Sequence, residues 1–565
     1  MEYPRPQLKR NSFFSLNGVW QLNDLSINIP YPPQAPLSNY HGIINDTLVY
    51  QKDFILPIDF YHANNQVLLH FGAVDQLTKV YVNNRYIGSH SGGYLPFYFD
   101  ISSSLNDGVN KLVMKVTDSL SHDYPYGKQS RESHGMWYTQ VSGIWQTVWV
   151  EAVSKNCIKD LLITPSLTGI NLKVNTEASR YTVTIENNDF KKTYTAKDTD
   201  ITIDNPHYWT PDDPYLYTFS ITTDDDYIES YFALRTVEIK KHQILLNDTP
   251  IFLHGILDQG YYHDGLFLPE HPDFYKTEIM NIKKLGFNLI RKHIKIEPEL
   301  FYYNCDKLGI LVMQDMVNNG EYRFIHDTVL PTLGFINFKD TRYKNTLQQN
   351  IFKQHMIDTI SHLYNHPSII SYTIFNEGWG QFNSDEMYQI CKELDPTRFY
   401  DTTSGWFSQK NSDVVSRHIY FRNKILSTNL ERPLLLSECG GYTRPINNHL
   451  NSNKKQYGYG KTNSEKELTD KIEKMYQEMV IPSINNGLCG CIYTQISDIE
   501  NEINGLYTYD RKICKVNQQR MSELARKLYS YYEKKSGLSS ISLSLRNDAK
   551  KPFFTYGAFV IDVTL

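Results

Sequence analysis

The first part of the chain alternates hydrophobic and polar positions with a period of two. Val80 and Val82 lie on one face of a segment that ends at an Asn83-Asn84 pair, a typical turn sequence. The same alternation recurs further on, at Leu112, Met114 and Val116 and at Ile144, Val148 and Val150. A run of such strands predicts a β-sandwich of the jelly-roll type over residues 1–152.

Residues 153–240 continue the strand pattern in a shorter region. Tyr181, Val183 and Ile185 alternate on one predicted strand, and Tyr217 and Phe219 lie on another. Fewer than about 100 residues is the size of an immunoglobulin-like sandwich, although the Cys, Trp and Cys spacing of antibody domains is missing. We expect an immunoglobulin-like β-sandwich that acts as a spacer.

From residue 241 to 536 short apolar strands alternate with amphipathic helices, which predicts a parallel sheet. Candidate strands cover 251–257, 288–293, 310–315, 369–376, 398–403, 414–420, 433–438 and 488–495. Helical spacing of apolar residues lies between them, at 301–308, 352–363, 468–479 and 521–531. Eight strands close a (β/α)8 TIM barrel. Residues 537–565 stay unassigned.

Composition and charge exclude several classes of partner. With 41% hydrophobic and 21% charged residues, the 565-residue chain is typical of a globular protein of several domains. A net charge of -5 gives no basic surface for nucleic acid or for a membrane. The N-terminus lacks the apolar core of a signal peptide, and seven scattered cysteines without a CxxC pair favour free thiols. These features predict a cytoplasmic protein, and they leave a homo-oligomer open.

Two of the predicted barrel strands end at a glutamate. Glu377 follows Asn376 at the end of the fourth strand, and Glu438 ends the seventh. Barrel enzymes keep reactive groups at the carboxyl ends of their strands, and retaining cleavage of a glycosidic bond needs two carboxyl groups roughly 5–5.5 Å apart. Arg291 ends the second strand and is placed to keep Glu438 ionised, with a purely structural salt bridge as the alternative.

Several motifs of the chain resemble family 2 of the glycoside hydrolases, the group of β-galactosidases, β-glucuronidases and β-mannosidases. They are GVW at 18–20, VNNRYIGSHSGGYLPFYFDIS at 82–102, GKQ at 127–129, SGIWQTVWVE at 142–151, NLIRKH at 288–293, NEG at 376–378, SEC at 437–439 and NGLYTYDRK at 504–512. The domain order is similar as well. This resemblance implies that Glu377 is the general acid/base, that Asn376 binds the sugar 2-hydroxyl, and that Glu438 is the nucleophile.

Six further positions are candidates for the sugar subsite. Aromatic faces suit the C–H faces of sugars, although tyrosines and tryptophans also pack in cores. The aromatic candidates and the histidine beside them are His418, Tyr420, Trp406 and Trp379. Asp258 follows the first predicted strand and would bind a sugar hydroxyl, cap a helix or tie a loop. His293 lies two residues beyond Arg291, where many relatives have a histidine three residues beyond, so a capping or core role is an equal alternative.

The resemblance also bears on the substrate. Glucuronidases of the family carry an Asn-x-Lys segment that binds the carboxylate, whereas this chain has Glu502-Ile503-Asn504 at that point and its Asn337-Phe338-Lys339 triplet lies elsewhere. We therefore predict a retaining exo-β-glycosidase for neutral sugars, with β-galactosides first, and without a metal or another cofactor. A β-glucuronidase is the alternative within the family. A carbohydrate-binding protein with an inactive barrel is the alternative outside the enzymes.

Overall fold

The computed structural model describes residues 3–60, 65–187, 190–195, 199–325, 327, 344–405, 410–451 and 456–537. Two antiparallel sandwiches precede a parallel barrel along the chain. This arrangement confirms the predicted fold class. The unassigned segment 538–565, the triplet at 337–339 and Trp406 lie outside the described residues.

The first sandwich packs a four-stranded sheet in the order β1-β14-β5-β9 against a six-stranded sheet in the order β3-β2-β4-β10-β7-β8. Its interior contains the predicted alternating residues, including Val80, Val82, Leu112 and Met114. Burying each such side chain contributes about 1.5–3 kcal/mol. The strands are β1 Phe14–Ser15, β2 Gly18–Leu22, β3 Leu25–Ile29, β4 Thr47–Ile55, β5 Asn65–Phe71, β6 Val74–Asp75, β7 Leu77–Val82, β8 Arg85–Ser91, β9 Phe97–Asp100, β10 Val109–Thr117, β11 Gln129–Ser130, β12 Tyr138–Thr139, β13 Gly143–Ile144 and β14 Val148–Ser154.

The second sandwich has a three-stranded sheet, β15-β16-β19, and a four-stranded sheet, β18-β17-β20-β21. Tyr181, Val183 and Phe219 face its core, as the period of two predicts. The strands are β15 Asp160–Pro165, β16 Gly169–Asn175, β17 Thr182–Asn187, β18 Phe190–Thr195, β19 Thr199–Thr202, β20 Tyr217–Thr222 and β21 Tyr227–Phe232. A small sheet follows, made of β22 Val237–Lys240, β23 Gln243–Leu246 and β24 Thr249–Pro250.

The barrel consists of eight parallel strands in the order β29-β28-β27-β26-β25-β32-β31-β30. Each of the eight predicted strands is present. They are β25 Leu253–Asp258, β26 Leu289–Lys292, β27 Leu311–Asp315, β28 Ile369–Asn376, β29 Phe399–Ser404, β30 Val415–Ile419, β31 Leu434–Gly440 and β32 Leu488–Thr494. All are buried along nearly their whole length because helices cover the outside and side chains fill the inside.

The described part of the barrel contains seven α-helices. They are α1 Asp273–Lys284, α2 Glu299–Leu308, α3 Thr346–Leu363, α4 Ser384–Leu394, α5 Glu465–Met475, α6 Ile481–Ile484 and α7 Gln518–Lys535, with a π-helical turn at Tyr476–Val480. Side chains of Asn345, Ser464 and Asn517 cap three of them by accepting backbone N–H groups. The sequence pattern did not predict helices α1 and α4. No helix in the described part of the chain is long and apolar enough to cross a bilayer.

Both ends of the barrel are covered by other parts of the chain. Ile244 and Leu246 of β23, with Trp209, close the end where the strands begin by joining the interior cluster of the barrel. At the opposite end an aromatic cluster joins the first sandwich to the barrel rim, with Tyr138 and Trp145 from one side and Phe267 and Trp379 from the other. The end of the barrel where its strands finish therefore lies directly under the first sandwich.

The eighth strand carries two buried thiols, Cys489 and Cys491. The pairing of β31 with β32 shifts register between Leu434, opposite Leu488, and Leu435, opposite Gly490, so Cys489 lies at an irregularity of the ladder. Burial raises the pKa of both thiols, and all seven cysteines are free.

Candidate active site

Glu377 and Glu438 meet at the carboxyl end of the barrel strands. One side-chain oxygen of each glutamate and one ring nitrogen of His418 lie within 4.8 Å of one another. Glu377 directly follows β28 and has a left-handed backbone, with φ of +51°. Residues other than glycine adopt this conformation at a cost, and it concentrates at functional sites. The turn directs the Glu377 carboxyl toward the centre of the barrel mouth.

A bulge in β31 positions Glu438. The pairing of β31 with β30 skips one residue, so that Arg417 is opposite Leu436 whereas His418 is opposite Glu438. An extra residue in a strand re-aims the side chains that follow it. Glu438 thereby points inward beside His418 although strict alternation from Leu435, which packs in the interior, would turn it outward.

The surroundings of Glu438 favour its ionised form. Nη1 of Arg291 donates to Oε1 at 3.1 Å, and the hydroxyl of Tyr420 donates to Oε2. Burial opposes ionisation, but electrostatic interactions with His418 and Arg291 outweigh it and lower the pKa of Glu438 to about 2. A carboxylate that is ionised at neutral pH is what a nucleophile requires.

Arg291 joins the strand ends through five of its side-chain contacts. It binds both oxygens of Asp315, from Nε at 3.0 Å and from Nη2 at 2.9 Å. Nη2 also donates to Oδ1 of Asn376 at 3.0 Å and to the Ser404 hydroxyl at 3.1 Å. The guanidinium is fully buried, and the charges of Asp315 and Glu438 overcome burial and raise its pKa. The predicted contact of Arg291 with Glu438 is present.

The amide of Asn376 is oriented by these contacts. Its Oδ1 accepts from Arg291 and, at 2.7 Å, from the Ser404 hydroxyl. Within the described residues, the side chain makes no other hydrogen bond, so Nδ2 is available to donate to a ligand. His293 lies on the same side, with Nδ1 2.6 Å from Asp315, and burial lowers its pKa to about 4.

His418 lies between the two glutamates. Its Nδ1 is 2.7 Å from Oε1 of Glu377, and its Nε2 is 3.6 Å from Oε1 of Glu438. Gly405 makes this approach possible, because a Cβ at its φ of +91° would come within 3.1 Å of the histidine ring. Tyr420 stacks on Tyr459 at a centroid distance of 3.9 Å. His418 thus holds the carboxyl group of Glu377, and Tyr420 holds that of Glu438.

Two of the predicted sugar-binding residues are placed away from this centre. Trp379 is 2% exposed, donates to the Gly320 carbonyl and packs edge-to-face on Tyr126 and Trp137, so it belongs to the interdomain cluster. Asp258 faces the helix layer because its neighbour Leu257 faces the barrel interior. Its two oxygens accept from Lys292 and from the Gly260 backbone.

A closed set of hydrogen bonds surrounds Glu502 and Asn504, the two residues that replace the Asn-x-Lys segment, and its other members were not predicted. Tyr138 of the first sandwich donates to Glu502, and Asn504 donates to the other Glu502 oxygen at 2.8 Å. Gln495 donates to Asn504, and Gln259 donates to both Gln495 and Tyr138. Burial raises the pKa of Glu502. No local pattern marks Tyr138, because it arrives from another domain.

The sequence matches three descriptions of one family. They are "Glycosyl hydrolases family 2, sugar binding domain" over residues 6–152, "Glycosyl hydrolases family 2" over 154–235, and "Glycosyl hydrolases family 2, TIM barrel domain" over 237–511. Together they cover nearly the whole described chain.

Similar proteins include a β-galactosidase of Thermoanaerobacter pseudethanolicus, 26% identical over 72% of this chain and 55% of its own length. A putative β-glucuronidase of Formosa agariphila is 27% identical over 64% of this chain and 47% of its own length. The chain thus spans about half the length of these relatives. The fold is also that of a Ruminococcus gnavus β-glucuronidase, with a TM-score of 0.76, 19% identity, and coverage of 94% of this chain and 100% of the other. From the three matched domains, the chain belongs to glycoside hydrolase family 2.

Proposed function

We propose that the protein is a retaining exo-β-glycosidase that hydrolyses terminal neutral sugars, with β-galactosides as its preferred substrates. The observation that carries the proposal is the placement of Glu377 and Glu438, whose carboxylate oxygens approach within 4.8 Å across His418. Retaining enzymes hold the two carboxyl groups roughly 5–5.5 Å apart, whereas inverting enzymes need roughly 6.5–9.5 Å to admit a water molecule.

In the first step Glu438 attacks the anomeric carbon while the bond from that carbon to the leaving oxygen breaks. Glu377 gives its proton to the leaving oxygen, and the aglycone departs as an alcohol. A glycosyl ester on Glu438 results. The low pKa of Glu438, about 2, supports its role as the group that is ionised from the start.

In the second step Glu377, now a carboxylate, takes a proton from water. The water oxygen attacks the anomeric carbon, and the ester bond to Glu438 breaks. The sugar leaves with its original β configuration, Glu377 is protonated again, and Glu438 is again a free carboxylate. Two inversions at one carbon give net retention.

Arg291 and Asn376 support both steps in this proposal. Arg291 holds Glu438 and the Asn376 amide through one guanidinium, which fixes the distance between the attacking oxygen and the amide donor. A hydrogen bond from Asn376 Nδ2 to the sugar 2-hydroxyl would strengthen as positive charge develops on the ring. His418 would keep the Glu377 carboxyl in line with the leaving oxygen.

The position of Glu502 favours a neutral sugar over a uronic acid as the substrate. The residue is buried beside Glu438, close enough for the two charges to interact, and its oxygens accept from Tyr138 and Asn504. A carboxylate accepts hydrogen bonds from sugar hydroxyls, whereas it repels the carboxylate of a uronic acid. The similarity to a curated β-galactosidase agrees with this preference.

β-Glucuronides are the second candidate substrates. The observation that favours them is the similarity of the sequence to a putative β-glucuronidase. The structures of named β-glucuronidases share the fold alone at 19% identity, so they do not weigh on the substrate. The choice depends on the groups around Glu502, which differ from the Asn-x-Lys segment that the resemblance associates with glucuronides.

A panel of nitrophenyl β-glycosides tests the proposal. We expect turnover to be fastest for the galactoside among the galactoside, glucoside, mannoside and glucuronide. Proton NMR of the first product should show the β anomer, and an α anomer would contradict the assignment of Glu438 as nucleophile. Glu438→Gln should abolish turnover, and a chelator such as EDTA should leave it unchanged because the proposed steps use no metal.

A further inference from the structure

A lysine of the first sandwich, Lys128, is held at the mouth of the barrel. The preceding residues are docked on the rim, where the backbone N–H groups of Tyr126 and Gly127 donate to the Asn318 carbonyl at 3.1 and 3.2 Å. Gly127 adopts φ of +62°, and a Cβ there would lie 2.8 Å from the Ile294 carbonyl oxygen. The chain approaches the rim this closely because it has a glycine at that point.

The other side of Lys128 is fixed as well. Gln129 is buried and donates to Asp75 and Tyr94, and the Lys128 carbonyl accepts from the Tyr138 backbone at 3.0 Å. Tyr138 is the residue whose hydroxyl donates to Glu502. Lys128 is therefore held between the barrel segment that follows His293 and the group that binds Glu502.

Lys128 is a half-buried residue, and its ammonium is unpaired in the part of the chain that the structure describes. Within the described residues it makes neither a hydrogen bond nor an ion pair, although its side chain has three donors. Its charge nevertheless reaches three groups of the site. After burial, Lys128 is the next cause that lowers the pKa of His293 to about 4, and it opposes the effect of burial on the pKa of Glu502. It also helps to lower the pKa of Glu438.

A half-buried ammonium normally pairs with an acceptor, since desolvation without compensation is unfavourable. Glu502 also has unused capacity. Each of its oxygens accepts one described donor, Tyr138 or Asn504, and a carboxylate oxygen has two lone pairs. An unused donor and an unused acceptor therefore lie near the nucleophile, close enough for the charge of Lys128 to act on both Glu502 and Glu438.

We propose that Lys128 is a substrate-binding residue of the barrel, supplied by the first sandwich, which donates to a hydroxyl of the sugar at Glu438 while Glu502 accepts from the same or the adjacent hydroxyl. The inference rests on the proposed glycosidase function. A hydroxyl satisfies both residues, because it accepts from the ammonium and donates to the carboxylate. A uronate carboxylate would pair with Lys128 but would also face the charge of Glu502.

The test compares Lys128→Met with Lys111→Met as the matched control. Lys111 is exposed in β10 of the same sandwich. The substrates are nitrophenyl β-galactoside and analogues that each lack the hydroxyl at carbon 3, 4 or 6. Loss of a hydrogen bond to a charged donor should lower kcat/KM for the galactoside by about 10- to 100-fold in Lys128→Met. For the one analogue that lacks the contacted hydroxyl, the loss should shrink to less than about threefold.

A second readout separates binding from a structural role. Removing the Lys128 charge should move the acidic limb of the kcat/KM profile to higher pH, because that charge helps to keep Glu438 ionised. The melting temperature of Lys128→Met should stay at that of the control. An equal loss of kcat/KM on all analogues, or an unmoved acidic limb, would overturn the inference.

Two other outcomes have distinct meanings. A Lys128→Met variant that loses only glucuronide turnover would show that the lysine binds a carboxylate, which overturns the assignment to a hydroxyl. A native protein that turns over none of the glycosides would contradict the proposed function and not the lysine. In that case the affinity of each variant for D-galactose would be measured by calorimetry. Weaker binding by Lys128→Met than by Lys111→Met supports the inference, and equal binding overturns it.

Discussion

Replacement of Arg291 by methionine should move the acidic limb of the activity profile to higher pH. Nη1 of Arg291 lies 3.1 Å from Oε1 of Glu438. At an effective dielectric constant of about 20, two unit charges at this distance interact by roughly 5 kcal/mol. At 1.36 kcal/mol per pK unit this is about four units, and His418, whose Nε2 lies 3.6 Å from Oε1 of Glu438, still offsets part of the loss.

The pKa of Glu438 should therefore rise from about 2 to its ordinary value of 4.5 or above, because burial then acts with less opposition. In the native protein the depressed pKa stabilises the fold above the unfolded pKa, and this stabilisation is lost as the pH falls through about 2. The variant lacks this contribution. It also leaves Asp315 without its guanidinium, and breaking such a buried pair costs about 3–5 kcal/mol.

The assay is kcat/KM for dinitrophenyl β-galactoside from about pH 4 to about pH 8, since this leaving group needs no proton from Glu377. We expect a flat native profile on the acidic side and a clear fall for Arg291→Met. Circular dichroism at each pH confirms that the variant stays folded. Arg291→Lys keeps the positive charge but loses the several N–H donors of the guanidinium. The acidic limb of its kcat/KM profile should therefore stay closer to the native one, while kcat falls. Parallel profiles of the native protein and Arg291→Met would refute the reasoning.

Three further substitutions separate chemistry from packing. Glu377→Ala should lower kcat/KM for a nitrophenyl galactoside by about a hundredfold or more and spare the dinitrophenyl substrate, and azide should restore turnover with a β-azide product; unchanged activity would contradict its role as the acid. Trp379→Ala should cost about 3–5 kcal/mol of stability, seen as a lower melting temperature with little change in KM. A higher KM at constant melting temperature would place the ring against the sugar instead. Asp258→Asn should destabilise the protein by about 1–3 kcal/mol through Lys292 and leave KM unchanged, whereas a selective rise in KM would argue for sugar binding.

Much of the barrel follows from the sequence because buried parallel strands are continuous apolar runs. Their ends also mark Glu377, Glu438 and Arg291, since the carboxyl ends of all eight strands share one rim. The position of Trp379 could not be predicted, because it depends on backbone conformation. Glu377 and Gly378 both have positive φ, which turns the chain so that Trp379 packs under the sandwich and not into the barrel mouth.

Other parts of the site could not be predicted, because they depend on how domains meet. Tyr138 and Lys128 lie in short segments of the first sandwich without any pattern of their own, and only the packing of the aromatic cluster brings them to Glu502 and His293. The direction of the Asp258 side chain could not be predicted for a simpler reason. The last residue of a strand faces inward or outward according to a one-residue phase, and the apolar run alone does not define that phase.

The aromatic cluster between the first sandwich and the barrel has a consequence for how the enzyme would lose activity. Tyr138 and Lys128 reach the site only while that interface is closed, whereas both glutamates that we propose as catalytic belong to the barrel. Separation of the first sandwich from the barrel would remove what Tyr138 and Lys128 contribute to substrate binding while the glutamate pair stayed in place. If heat or denaturant opened this interface before either hydrophobic core unfolded, activity would fall at a lower temperature than the one at which the barrel melts.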